Sequence, residues 1–337
     1  MDDKQKIEKN NKEYEGQPLS PVEEGREQRR REKLKKRIKQ AAAIIGSTMM
    51  MSIAATEMML FVMFGRNGAV SNEPFPLQNW ARKNGLYWQG VEYPSQDNLL
   101  RGYLIAPQNP CALLVITHGM NASSDGFEPV VQYFARKGYA VLIFDGTASG
   151  RSTGMQVVGL QQQRYDVRAT VQYIRQTGMF ADIPLVLLGH SAGAYGSAVE
   201  AKDAGAAAVV CVSGFYAPLD TMKHWARNYT SVLADIEYPF LWARQHFSLG
   251  RETNTSAVKA LCAAGLPALV AQGSEDEAVE DKISLYHHML KQNAPNVTCI
   301  LEENPQHNMH SNILFDNGRA NDALLDRIHE FIQSHIR

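Results

Sequence analysis

Cysteine is scarce in this 337-residue chain: four thiols, Cys111, Cys211, Cys262 and Cys299, stand scattered along it. They are too few for a disulfide framework, and three lie in apolar strand-like runs where a thiol packs as a small hydrophobe. No Cys/His spacing suits a metal ion and no phosphate-cradling glycine loop occurs, so neither a metal nor an organic cofactor is expected. Net charge is equally slight, −1 at neutral pH, which gives nucleic acid nothing to attract at whole-chain level. Internal repeats are missing too. With 45% hydrophobic and 20% charged residues, a disordered chain is excluded and a substantial core is possible.

The small net charge hides an uneven distribution. The first forty residues hold 13 Lys/Arg and 9 Asp/Glu, and "REQRRREKLKKRIK" alone carries nine positive charges against two negative. Directly behind it comes "AAAIIGSTMMMSIAATEMMLFVMF", Ala41 to Phe64, in which only Glu57 is ionisable. A bilayer core needs about 20 apolar residues in helix, and one carboxylate costs about 2.5–3.5 kcal/mol, which the Met, Ile, Leu and Phe residues can offset. The run is therefore predicted to be a transmembrane helix. A buried core helix fits less well because the segment precedes the globular pattern. A cleaved signal peptide would need an n-region of about forty residues, an atypical length. Positive flanks stay cytoplasmic, so the expected arrangement is a cell-membrane protein with a cytoplasmic tail (1–40), a single-pass signal anchor (41–64), a linker (65–84) and an extracytoplasmic domain (85–337).

From about Gly85 short apolar runs alternate with helical patterns. "LYWQGVEY" and "LLRGYLIAP" read as an antiparallel pair. "ALLVITHG", "YAVLIFDG", "IPLVLLGH", "AAAVVCVSG", "LPALVAQG" and "NVTCILEE" read as buried strands. Strands apolar on both faces, with helices between them, predict an α/β domain with a mostly parallel sheet covered on both sides. One insertion, about residues 215–258, has no strand and is rich in aromatics, as lids and binding loops often are.

Within "VLLGHSAGAYG", Gly189-His190-Ser191-Ala192-Gly193 forms a G-x-S-x-G between a strand and a helix. A turn this tight holds the serine hydroxyl up at the carboxyl edge of the sheet, where it can act as a nucleophile. The main-chain N–H groups of Met120, after "THG", and Ala192 would face a developing oxyanion. His118, upstream, is read as structural. After "LPALVAQG" the acidic turn "SEDEAVED" offers Asp276 as the orienting carboxylate, with Glu275 second. After "NVTCILEE" two histidines could serve as general base. Nearness to the strand end favours His307, while "HSNILFD", leading toward the last helix, favours His310; His310 is taken as the base with His307 as the alternative.

With "THGM", "GHSAG", "GSED" and "HSNILF" in this order, residues from about 85 to 337 resemble the α/β-hydrolase fold superfamily, and most of all bacterial serine hydrolases with an N-terminal membrane anchor. Relatives carry a similar H-x-N-[IV] stretch with the catalytic histidine first. "FDGTASGRSTG" corresponds to the family's D-x-x-G-x-G-x-S loop, although Ala148-Ser149 stand where a glycine is common. The resemblance implies the α/β-hydrolase fold with a helical lid, and a serine hydrolase with the triad Ser191, Asp276 and His310. An ester is the expected bond, in a small-molecule or lipid acyl substrate. Peptidase, thioesterase or acyltransferase chemistry, or a silent binding protein, are the alternatives.

Overall fold

A computed structural model describes residues 20–336; nearly half of the expected cytoplasmic tail, residues 1–19, lies outside them. The chain divides into two compact units, one ending at Ala55 and one beginning at Thr56. Helix α1 (Pro21–Phe64) starts with Pro at its first helical position, where the missing N–H is not needed. Ser20 and Glu23 form a reciprocal cap, the Ser20 N–H donating to the Glu23 carboxylate at 3.0 Å and the Glu23 N–H to Ser20 Oγ at 3.4 Å. This is the one helix among the described residues that is long and apolar enough, by length and composition, to cross a membrane.

The second unit takes in the last nine residues of that helix. Leu60 and Phe64 are buried in the core of the unit, and Glu57 is no lone carboxylate, since Arg244 Nε approaches its Oε1 at 2.5 Å. Residues 65–84, expected as a linker, make contacts of their own. The Arg66 guanidinium donates to the carbonyls of Ser152 and Gly154 at 2.8 and 3.2 Å, and α2 (Gln78–Lys83) buries Ala81.

An eight-stranded sheet follows: β1 (Tyr87–Ser95), β2 (Asn98–Ala106), β3 (Leu113–Thr117), β4 (Ala140–Asp145), β5 (Leu185–His190), β6 (Ala208–Val212), β7 (Ala268–Gly273) and β8 (Val297–Glu302), in the order β1-β2-β4-β3-β5-β6-β7-β8. The pairs β1/β2 and β2/β4 are antiparallel and all others parallel. Why the runs are continuously apolar is visible in the cores. Leu113 and Val115 belong to one cluster and Leu114 and Ile116 to the other, and β4 and β6 alternate in the same way. Each fully buried Leu, Ile or Val contributes about 1.5–3 kcal/mol of transfer free energy.

On one face lie α3 (Glu128–Arg136) and α10 (Asp322–His335), on the other α4 (Gln162–Thr177), α5 (Ala192–Glu200) and α8 (Ala257–Ala264). The insertion is helical, with α6 (Pro218–Thr230) and α7 (Leu233–Leu249). A short α9 (Leu285–Met289) and a two-residue hairpin, β9 (Phe315–Asp316) with β10 (Arg319–Ala320), complete the unit. Helices α4 and α5 are locked by Arg164 and Arg168 gripping the buried Glu200 carboxylate at 2.6 and 2.8 Å. That grip fixes the helix whose first residue follows Ser191.

Candidate active site

Strand β5 delivers Ser191 at its carboxyl end in a backbone conformation, φ 56° and ψ −120°, that an L-residue adopts only under constraint. The constraint is steric. A Cβ on Gly189 would stand 2.2 Å from the Gly193 carbonyl oxygen, and one on Gly193 would stand 2.1 Å from that of Thr117. Only hydrogen fits at either place, so the turn is as tight as strand, helix and neighbouring strand allow.

The loops after β7 and β8 bring two further side chains to the serine. His310 Nε2 lies 3.0 Å from Ser191 Oγ, and His310 Nδ1 lies 2.9 Å from each oxygen of Asp276. A carboxylate only accepts, so Nδ1 carries the proton and Nε2 is left to accept from the serine hydroxyl. Asp276 is 8% exposed and also accepts the N–H groups of Ala278 and Val279 at 3.1 and 2.8 Å, which fix its orientation. His307 points elsewhere, its Nδ1 meeting the Asn312 carbonyl at 3.0 Å. Glu275 is exposed, its own N–H tied to the Asn308 carbonyl. Both expected oxyanion residues, Met120 and Ala192, line one cavity. A Cβ on Gly119 would come within 2.9 Å of the Ser191 Cβ, so the chain entering Met120 runs hard against Ser191.

Two other histidines shape the site. Gly146 N–H donates to His118 Nε2 at 2.8 Å, so His118 Nδ1 holds the proton and donates to the Gly119 carbonyl at 2.7 Å. The ring thus ties the ends of β3 and β4 together. His190, partly exposed by area, has its ring wedged between Phe127 and His310, with centroids 6.2 and 4.9 Å away. Its Nε2–H donates to the His310 carbonyl at 2.9 Å. Burial, then the neighbouring His310, pushes its pKa down to about 3. An unfolded chain would bind that proton near pH 6.5. The folded protein is therefore expected to lose stability as pH falls from about 6.5 to about 3, with none of this loss above 6.5. Thermal melts across this range should fall less steeply in His190→Asn than in the parent.

The loop after β4 shapes the site from behind. Asp145 accepts the N–H groups of Ser124 and Arg151 at 2.7 and 2.8 Å, and Ala148, where glycine is common, stands at φ 60°. Sequence reasoning missed the cavity's other wall: Phe64, Gly65, Val157, Leu160 and the buried Gln163. Gln163 Oε1 has no hydrogen-bond partner. Among the described residues no group of three His, Cys, Asp or Glu side chains is placed to hold a metal ion.

A mostly parallel sheet with this strand order, a strained serine on its central elbow and a histidine and a carboxylate from later loops define an α/β-hydrolase fold. A model of the family described as serine aminopeptidase, S33, matches residues 108–239, a stretch holding Met120, Ser191 and Ala192. Among solved structures, the esterase Pf2001 of Pyrococcus furiosus superposes with a TM-score of 0.58 at 19% identity, over 82% of this chain and 99% of that one. Est1E of Butyrivibrio proteoclasticus, determined with ferulic acid bound, gives 0.54 at 16% identity over 73% and 99%. The α/β hydrolase GrgF of Penicillium sp. sh18 gives 0.51 at 16% over 74% and 99%. No curated protein matches the sequence. These likenesses give the chain the α/β-hydrolase fold.

Proposed function

We propose that this protein is a serine hydrolase that cleaves carboxylic esters through an acyl-enzyme, held at a membrane by α1. The observation that carries the reading is the hydrogen-bonded line from Ser191 through His310 to Asp276, at 3.0 and 2.9 Å. His310 takes the proton of Ser191 as Oγ attacks the carbonyl, and Asp276 stabilises the imidazolium. The main-chain N–H groups of Met120 and Ala192 receive the oxyanion. His310 then passes the proton to the departing alcohol, and water, activated by the same ring, releases the acid. An ester is favoured because an alcohol leaving group demands less protonation than an amine.

The anchoring rests on the basic flank from Arg26 to Lys39 and the apolar run after it, which orient the tail inward and the second unit outward. A small-molecule or lipid acyl compound is the substrate.

The test is fluorophosphonate labelling and p-nitrophenyl ester hydrolysis by the full chain in detergent, beside Ser191→Ala. Rapid labelling of the parent, with kcat/KM lower by roughly three or more orders of magnitude in Ser191→Ala, is expected. A parent that neither labels nor hydrolyses would return the protein to the class of binding modules.

A further inference from the structure

The apolar helix does not stop at the hydrolase unit; its end enters the cavity. Phe64, the last residue of α1, is 2% exposed and lines the space beside Met120 and Ala192, with Val157, Leu160 and Gln163 around it. We propose that Phe64 sets the acyl length this enzyme accepts, so that its substrates are esters of short acyl groups. The proposal rests on the esterase reading above.

The reasoning starts from the amides. If Met120 and Ala192 N–H groups hold the carbonyl oxygen while Ser191 attacks, the carbonyl carbon is fixed, and a cavity lined by those two residues receives one substituent of that carbon. The acyl chain is the substituent that stays on the enzyme after the alcohol has left, and this narrow, partly open space suits it. That space measures about 30 Å³, room for a group the size of one or two water molecules. Apolar side chains from Phe64, Val157 and Leu160 suit a short alkyl group and end any longer one.

Phe64 is held too firmly to yield to a longer chain. Val157 N–H donates to the Phe64 carbonyl at 3.0 Å, Gly65 N–H to the Phe61 carbonyl and Arg66 N–H to the Met155 carbonyl, both at 2.8 Å. Gly65 also forms a β-bridge with Gln156. A Cβ on Gly65 would come 2.4 Å from the Phe61 carbonyl oxygen, so the chain leaves the helix here along the one path glycine permits. One turn back, Leu60 is buried in the same cluster. Phe61, by contrast, is 60% exposed on another face of the helix.

The experiment compares kcat/KM for p-nitrophenyl acetate, butyrate and octanoate in the full chain and in Phe64→Ala, Phe64→Leu, Phe64→Trp and Phe61→Ala, all in the same detergent. A methylene that a pocket can or cannot house changes kcat/KM by roughly 10–200-fold. The parent should therefore prefer acetate or butyrate, and Phe64→Ala should raise the octanoate-to-acetate ratio at least about tenfold. Phe64→Leu should raise it less, Phe64→Trp should lower the butyrate-to-acetate ratio, and Phe61→Ala should leave the profile as it was. If Phe64→Ala fails to fold, the Leu and Trp variants, which keep the apolar bulk, decide by moving in opposite directions. A parent that labels with fluorophosphonate but keeps one chain-length profile through all Phe64 variants would overturn the role of Phe64 and leave the hydrolase reading intact. So would a parent that already prefers octanoate, or a profile shifted as much by Phe61→Ala. A parent that does not label refutes the hydrolase reading and this proposal with it.

Discussion

Alanine at position 310 is expected to lower kcat/KM for an ester by roughly three to six orders of magnitude, while alanine at 307 leaves it within about threefold. The two histidines are three residues apart in one loop, so composition and exposure hardly separate them. Geometry does. His310 alone reaches both Ser191 Oγ, at 3.0 Å, and the Asp276 carboxylate, at 2.9 Å, whereas His307 spends Nδ1 on the Asn312 carbonyl. The check is steady-state kinetics on both variants beside their melting curves, since His307 holds the loop and its loss should appear in stability first. Large loss in His307→Ala with activity kept in His310→Ala would reverse the assignment.

Among the described glycines, Gly193→Ala should be the most damaging added methyl. The added Cβ would stand 2.1 Å from the Thr117 carbonyl oxygen and 2.7 Å from that of His118, well inside contact distance. Neither can retreat easily: Thr117 is the last residue of β3, which pairs with β4 on one side and β5 on the other. Overpacking of this kind costs about 1–3 kcal/mol, occasionally more. In a unit of this size each kcal/mol lowers the melting temperature by roughly 2–4 °C. The same shift would move Gly119 and Met120 relative to Ser191, so fluorophosphonate labelling should slow by at least about tenfold even in protein that stays folded. Gly126→Ala is the matched control, because a Cβ there meets nothing within 4 Å; its melt should stay within about 0.5 kcal/mol of the parent. Equal melts and equal labelling for the two variants would count against the elbow as the strained element.

How much of this was legible follows physical lines. The sheet was legible because strands buried on both faces leave unbroken apolar runs between turn residues, and all eight runs read from the sequence are strands of one sheet. The serine turn was legible because its sterics demand small residues at fixed offsets. The two loops were legible only as neighbourhoods: Asp276 among five acidic side chains, His310 beside His307. Which member turns inward depends on backbone hydrogen bonds such as Glu275 N–H to the Asn308 carbonyl, which leave no trace in composition. The short pair β9 and β10 and the six-residue α2 are too brief for any periodicity to show. The sequence groups Phe64 with the apolar segment because an apolar side chain serves a bilayer and a protein cavity equally well. Only contact with Val157 and Leu160 distinguishes the two.

If α1 holds the protein at a membrane as proposed, the place of Phe64 bears on release from that membrane. In many anchored proteins a protease can cut between anchor and domain and liberate an active ectodomain. Here a cut anywhere from 65 to 84 would part Phe64 from Ser191, and a cut beyond Arg66 would also carry off the guanidinium that holds the loop around Ser152 and Gly154. The shed fragment would keep Ser191, Asp276 and His310 but leave one side of its cavity behind, so, on the role proposed for Phe64, shedding would alter what the protein accepts as well as where it works.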